Sequence, residues 1–190
     1  MRKFIYLISP KIINKDFYDN LGEVLSSQKV EFFQLRLKKH KRNDVIKEAK
    51  KIKKITKKYK VKLIINDFSN LTKIVKADGC HLGQNDGQIK KIRKILKNKI
   101  IGVTCHNSKS LAQNAIKNSA DYVAFGSFNK SKLKPNAKKA NINILRWAKK
   151  NIKKPVVAIG GINNLNYKLL LKSGAKYIAL SSYIWDNPKL

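Results

Sequence analysis

A chain of 190 residues is long enough for one well-buried core and too short for two ordinary domains with a linker, so residues 1–190 read as a single domain. No run of about 18 apolar residues occurs, no cleavage-site pattern follows the first residues, and the only cysteines are Cys80 and Cys105, which argues against a spanning helix, an exported protein and a disulfide or zinc framework. The formal charge of +32 is the usual footprint of a nucleic-acid binder, yet 38 of the 43 basic residues are lysine, scattered over nearly every helix-like segment, which favours a solvated surface in a cytoplasmic protein.

Short β-like runs alternate with helix-patterned stretches, the signature of a parallel sheet built from βαβ units. The runs span residues 4–8, 31–35, 62–65, 79–82, 100–104, 122–125, 156–159 and 177–180, several of them uninterrupted apolar stretches, as doubly covered strands require. Between them, residues 16–26, 44–59, 108–118 and 141–151 place apolar side chains at three- and four-residue spacing with lysine on the remaining positions. Eight such units in this length predict an α/β fold, a single (β/α)8 TIM barrel. An open doubly wound sheet is the structural alternative, although the Gly-rich dinucleotide fingerprint after the first strand is absent. Past the last run and the Ser181-Ser182 that ends it, only residues 183–190 remain, so the closing helix should be shortened or missing, or replaced by another subunit of a homo-oligomer.

The informative residues stand just after many different strands, which is how a barrel assembles a site from its βα loops. After the second strand, alternation puts Gln34, Arg36 and Lys38 on one face. Two cations and an amide converging there call for an anion such as phosphate or diphosphate, with a salt bridge to a neighbouring carboxylate as the plainer alternative. The third and fourth strands lead into Asn66-Asp67 and His81-Leu82-Gly83-Gln84-Asn85-Asp86. Two carboxylates beside a bound diphosphate suggest Mg²⁺; taken singly, each aspartate would also suit a helix cap. Thr104 ends the fifth strand as a hydroxyl donor, His106 reads as a surface or supporting residue, and Asn107 or Ser108 should cap the next helix. The polar, cationic stretch from Gly126 to Pro135 reads as a mobile lid bringing Ser131 and Lys134 over a phosphate. Gly160-Gly161 after the seventh strand and Ser181-Ser182 after the eighth form a phosphate cradle, so that one mouth would hold two anionic groups.

The ordered set Gln-Leu-Arg-x-Lys, Ile-Asn-Asp, His-Leu-Gly-Gln-x-Asp, Gly-Val-Thr-x-His, Asp-Tyr-Val-x-Phe-Gly, Lys-Pro and Ala-Ile-Gly-Gly-Ile resembles the thiamine-phosphate synthase/TenI family over almost the whole chain. The resemblance implies a transferase that couples hydroxymethylpyrimidine diphosphate with hydroxyethylthiazole phosphate, releasing diphosphate and thiamine phosphate through a dissociative substitution. It further implies that Gln34, Arg36, Lys38, Asn66 and Lys134 contact the diphosphate and that Asp67 and Asp86 ligate Mg²⁺. Thr104 would touch the departing diphosphate, and Ser131, Gly161, Ser181 and Ser182 would bind the thiazole phosphate.

The chain departs from the family's usual pattern at Phe68, where an arginine is common, at Leu133, where a threonine is, and at Asn129-Lys130 in a lid otherwise rich in proline and threonine. These changes weaken the expected lid contacts and leave both aspartates and the strand-two cations intact, which favours an active or slowed synthase. A thiazole tautomerase of the same family has no need of that equipment, and the related tautomerases carry a histidine where this chain has Ser127. A basic nucleic-acid-binding protein on a barrel scaffold is the alternative of a different class; it predicts steeply salt-dependent binding to unrelated DNA.

Overall fold

The eight apolar runs become eight strands in the computed structural model, which describes residues 3–38, 40–129 and 139–187. They are β1 (Ile5–Ile8), β2 (Val30–Leu35), β3 (Lys62–Asn66), β4 (Gly79–Leu82), β5 (Ile100–His106), β6 (Tyr122–Gly126), β7 (Val156–Ile159) and β8 (Tyr177–Leu180). Among the described residues the helices are α1 (Phe17–Ser26), α2 (Arg42–Lys58), α3 (Ser69–Ile74), α4 (Ile89–Leu96), α5 (Lys109–Lys117), α6 (Asn143–Asn151), α7 (Tyr167–Lys172) and α8 (Ser182–Trp185). All neighbouring strands pair in parallel, and β1 pairs with both β2 and β8, Ile5 lying opposite Val30 on one side and Ile178 on the other. That closure excludes the open sheet and makes the fold a (β/α)8 barrel.

Strand alternation sorts the core into three clusters. Inward positions, among them Tyr6, Phe32, Ile64, Tyr122, Val157 and Tyr177, fill the barrel itself. Outward positions of β1 to β3 pack on α1, α2 and α3, and those of β4 to β8 pack on α4 to α7. Each large aliphatic side chain buried in these layers contributes roughly 1.5–3 kcal/mol relative to exposure. The interior is unusually aromatic, and its rings need room that a small neighbour must leave. Gly102 supplies it: a Cβ there would stand 1.8 Å from the Tyr122 ring.

Four of the helix-to-strand connections share one construction. Lys60, Lys76, Ser119 and Gly174 follow α2, α3, α5 and α7 with positive φ, and the N–H of the next residue reaches back to a helical carbonyl: Val61 to Thr56, Ala77 to Thr72, Ala120 to Ala115 and Ala175 to Leu170. This is the Schellman closure, with its apolar residue buried just past the turn. Two of these connections add a second tie. The Asp78 carboxylate accepts the Leu63 N–H, and the Asp121 carboxylate accepts the Ile101 N–H, each at 2.8 Å, linking the loop to the strand beside it.

The expected shortening of the last helix is present, since α8 is a single turn of four residues. It nevertheless connects the two halves of the outer shell, because Ile184 packs against both outer clusters. The Trp185 indole N–H donates to the Ile8 carbonyl at 2.6 Å, and its ring lies 5.2 Å from that of Phe17. In the other outer cluster, Phe4 stacks on Tyr167 with ring centroids 6.0 Å apart.

Candidate active site

The strand ends carry most of the residues singled out from the sequence. β2 stops at Leu35; Leu35 and Leu37 pack in the outer cluster, and Gln34, Arg36 and Lys38 hold the alternate positions, from the barrel interior out to the rim. Gln34 is buried and donates to the Tyr6 hydroxyl at 3.0 Å, inside the barrel. Arg36 is half-buried, its backbone N–H donating to the Ser9 hydroxyl at 2.9 Å. Lys38 is exposed and lies 2.9 Å from the Asp67 carboxylate, which is the ion pair weighed above as the plainer reading.

Lys38 therefore meets a carboxylate instead of standing alone, and Arg36 lies within electrostatic range of the same one. Burial lowers the pKa of the Arg36 guanidinium, and the charge of Asp67 opposes that fall. Asp67 follows β3 with φ of +64°, its N–H donating to the His81 carbonyl at 2.8 Å, so it is anchored to the end of β4. The Asp86 carboxylate accepts the Gly83 N–H at 2.6 Å, with Asp67 close enough to act on its ionisation. Partial burial, and then the neighbouring Asp67, push the Asp86 carboxyl above its ordinary range, while the Gly83 N–H and Lys38 pull the other way.

Neither aspartate acts as a helix cap. The residues at the starts of α3 and α4 are Phe68 and Gln88, with no side-chain cap bond at either. Two neighbouring carboxylates, with the ionisation of Asp86 disfavoured, form an oxygen-rich locus of the kind Mg²⁺ occupies with one or two carboxylates plus substrate and water oxygens. Among the described residues no cluster of three or more His, Cys, Asp or Glu could hold a metal, so a closed protein cage is not built here.

Across from this pair, Thr104 is partly buried on β5, with its hydroxyl 2.8 Å from His81 Nε2 and its carbonyl accepting from the Gln84 amide. Asn66 is buried at the end of β3. His106 is exposed, as expected, and Ser108 caps α5 by accepting the Leu111 N–H at 3.2 Å.

On the β7 and β8 side, Gly160 and Gly161 have φ of +105° and +58°. Packing requires the first of these glycines, because a Cβ at Gly160 would fall 1.9 Å from the Ser127 hydroxyl. The start of the β6 loop lies on this segment, Phe128 and Asn129 donating to the carbonyls of Ile159 and Gly160. Gly161 is the member of the pair that remains at the rim, its carbonyl accepting from Asn166 at 3.0 Å. Ser181 donates its hydroxyl to the Ser9 carbonyl at 3.2 Å, and Ser182 opens α8. Ser131, Leu133 and Lys134, named from the sequence, lie outside the described residues.

Three residues escaped the reading of site roles: Tyr6, Tyr122 and His81. All three are buried in the barrel interior and hydrogen-bonded to one another and to Gln34 and Thr104. The available signal was strand phase, because a tyrosine on the inward face of a doubly covered strand needs a partner for its hydroxyl.

No helix among the described residues is long and apolar enough to cross a membrane. Comparison with known proteins agrees on one family. Residues 5–184 match the family described as thiamine monophosphate synthase. A thiamine-phosphate synthase of Pelagibacter ubique is 55% identical over 189 residues, covering 99% of this chain and 91% of that protein. The enzyme of the same name from Erythrobacter litoralis is 38% identical over 96% of this chain and 88% of its own length. Among solved structures, a thiamine phosphate pyrophosphorylase from Pyrococcus furiosus superposes with a TM-score of 0.84 at 30% identity, over 94% of this chain and 85% of that one. On the strength of a match that runs from β1 into α8, this chain belongs to the thiamine monophosphate synthase family.

Proposed function

We propose that this chain is a transferase that joins hydroxymethylpyrimidine diphosphate to hydroxyethylthiazole phosphate, releasing diphosphate and forming thiamine phosphate, with Mg²⁺ as its cofactor. The observation that carries the reading is the ion pair of Lys38 with Asp67, with Arg36 and Asp86 in the electrostatic range of that pair, at the same end of the barrel as Gly161, Ser181 and Ser182. An arrangement with one anion locus rich in both charges and a second rich in small and hydroxyl residues suits a substrate pair of which one carries a diphosphate and the other a monophosphate.

Asp67 and Asp86 would hold the Mg²⁺, whose chemistry is to neutralise charge on diphosphate oxygens. The remaining work falls to the chain's own groups. Arg36 and Lys38 donate to the leaving diphosphate, with Lys134 joining them according to the family resemblance. Thr104 supplies a hydroxyl donor to the same group, and Gln34 and Asn66 line the adjoining interior. Gly161, Ser181, Ser182 and, by resemblance, Ser131 hold the thiazole phosphate so that its ring nitrogen faces the pyrimidine methylene. Bond breaking runs ahead of bond making: the C–O bond to diphosphate gives up its electron pair to oxygen, and the thiazole nitrogen lone pair then fills the vacancy on carbon. The new C–N bond replaces the old C–O bond, no proton has to be delivered, and no protein nucleophile is required. Catalysis is charge neutralisation and alignment.

The test is a thiochrome fluorescence assay on purified protein given both precursors, with and without Mg²⁺, beside the Asp86→Ala variant. The expected result is Mg²⁺-dependent thiamine phosphate formation that falls at least about a hundredfold in the variant, the scale of loss when transition-state charge stabilisation is removed. Absence of product in every condition, from protein that unfolds cooperatively, would sink the assignment.

A further inference from the structure

Five side chains from five strands cross the barrel interior in a continuous line of hydrogen bonds. Gln34 Nε2 is 3.0 Å from the Tyr6 hydroxyl, which is 2.7 Å from the Tyr122 hydroxyl. The Tyr122 hydroxyl is 2.9 Å from His81 Nδ1, and His81 Nε2 is 2.8 Å from the Thr104 hydroxyl. Gln34, Tyr6, Tyr122 and His81 are all buried. Burial also pushes both phenols well above their ordinary range, so each keeps its single hydrogen.

Donor counting then orients the line. An amide nitrogen donates and does not accept, so the Tyr6 oxygen accepts from Gln34 and Tyr6 must spend its own hydrogen on Tyr122. Tyr122 in turn donates to His81 Nδ1, which must be the bare nitrogen of the ring. The ring proton is then on Nε2 and is donated to the Thr104 oxygen. Of two other arrangements, one fails on hydrogens and the other needs a different Gln34 amide orientation. A cationic imidazole would turn Nδ1–H towards Tyr122 and leave the Tyr6 hydrogen without an acceptor in the line, the costly case of a buried unmet donor. A reversed line needs the Gln34 amide turned to present its oxygen, and it consumes the Thr104 hydrogen inside the barrel.

We infer that Gln34 polarises this line in one direction, so that His81 is held as the Nε2-protonated tautomer and the Thr104 hydroxyl keeps its own hydrogen for an anion bound at the mouth. Tyr6, Tyr122 and His81 are thus positioning residues. Naming the anion as the departing diphosphate rests on the function proposed above; the polarity of the line does not. The arrangement has a chemical rationale, because a hydroxyl that already accepts a hydrogen bond is a better donor, and a donor oriented in advance needs no reorganisation as charge develops on the leaving group.

The decisive measurement is ¹⁵N NMR of the double variant His40→Gln, His106→Gln, in which His81 is the only remaining histidine of the three. Both replaced residues are exposed. The expected spectrum shows Nδ1 as a lone-pair nitrogen and Nε2 as an N–H nitrogen. A spectrum with the proton on Nδ1, or on both nitrogens, overturns the inference. Adding Gln34→Glu and recording at about pH 9.5, above the range that buried glutamates reach, replaces the donor by a pure acceptor and should move the ring proton to Nδ1. An unmoved proton overturns the role given to Gln34. With both precursors supplied, Tyr122→Phe should lower kcat about tenfold while leaving KM for the pyrimidine diphosphate within about threefold, the signature of a group acting through a transition-state donor; a rise in KM alone overturns the positioning role. An inactive protein with the expected tautomer would sink the proposed function and leave the polarity of the line standing, whereas an active protein with the proton on Nδ1 would do the reverse.

Discussion

Cys80 and Cys105 lie within the outer cluster on β4 and β5, and burial pushes both thiols from 9.0 to about 12. The folded chain therefore retains protons that the unfolded chain releases. Their contribution to stability is complete below about pH 9 and is lost as pH rises from about 9 to about 12. At pH 8.5 iodoacetamide should modify either thiol only as fast as the protein opens; labelling of the native protein within the dead time of mixing would contradict this. Such burial was legible in the sequence, because each cysteine sits in an apolar run. The aspartates were legible as a pair but not as neighbours in contact with Lys38, since strand alternation gives a direction for each side chain and no distance between loops. Tyr6 and Tyr122 were missed because they are 116 residues apart and find each other only when the barrel closes.

At the scale of elements, the helix exits contain an improvable feature. Lys60, Lys76 and Ser119 occupy the left-handed position that glycine fills after α7, at a cost of roughly 1 kcal/mol each for a side chain there. Lys76→Gly and Ser119→Gly should each stabilise the protein by about 0.5–1 kcal/mol, the gain being reduced by the greater freedom of glycine in the unfolded chain. Urea unfolding would show a higher midpoint with an unchanged slope; a lower midpoint would mean that these side chains hold contacts of their own. The same elements explain what periodicity could and could not find. α1, α2, α5 and α6 run for 9 to 17 residues and were visible as amphipathic stretches. α3 and α7 have six residues each, under two turns, too short for a 3.6-residue period to declare itself. The repeated Ala-Asp before β4 and β6 was the clue to the loop ties and went unread.

For the whole molecule the governing quantity is charge. With 43 basic and 11 acidic residues, and four ion pairs among the described residues, most lysines face others of their own sign. Self-repulsion of this kind destabilises the compact state and is screened over about 10 Å at 0.1 M salt. Raising sodium chloride from about 20 mM to about 300 mM should therefore raise the melting temperature by several degrees; a flat or falling trend would show that the lysines are locally compensated. The eight-unit alternation was readable from the sequence, and eight units in this length favoured the barrel that β1 and β8 close; strand pattern alone reports which faces are covered and left the open sheet as the alternative.

That closure has a consequence during synthesis. β1 finds its second partner in β8, and the Ser181 hydroxyl reaches the Ser9 carbonyl across 172 positions of chain. While the chain emerges from a ribosome, at roughly 5–20 residues per second, β1 stands for roughly 10–30 seconds as a raw margin beside a growing sheet, until residues 177–180 arrive to meet it. In that interval the nascent protein offers two unpaired backbone rows to any neighbouring strand, and Ile184 and Trp185, which follow β8, latch the seam.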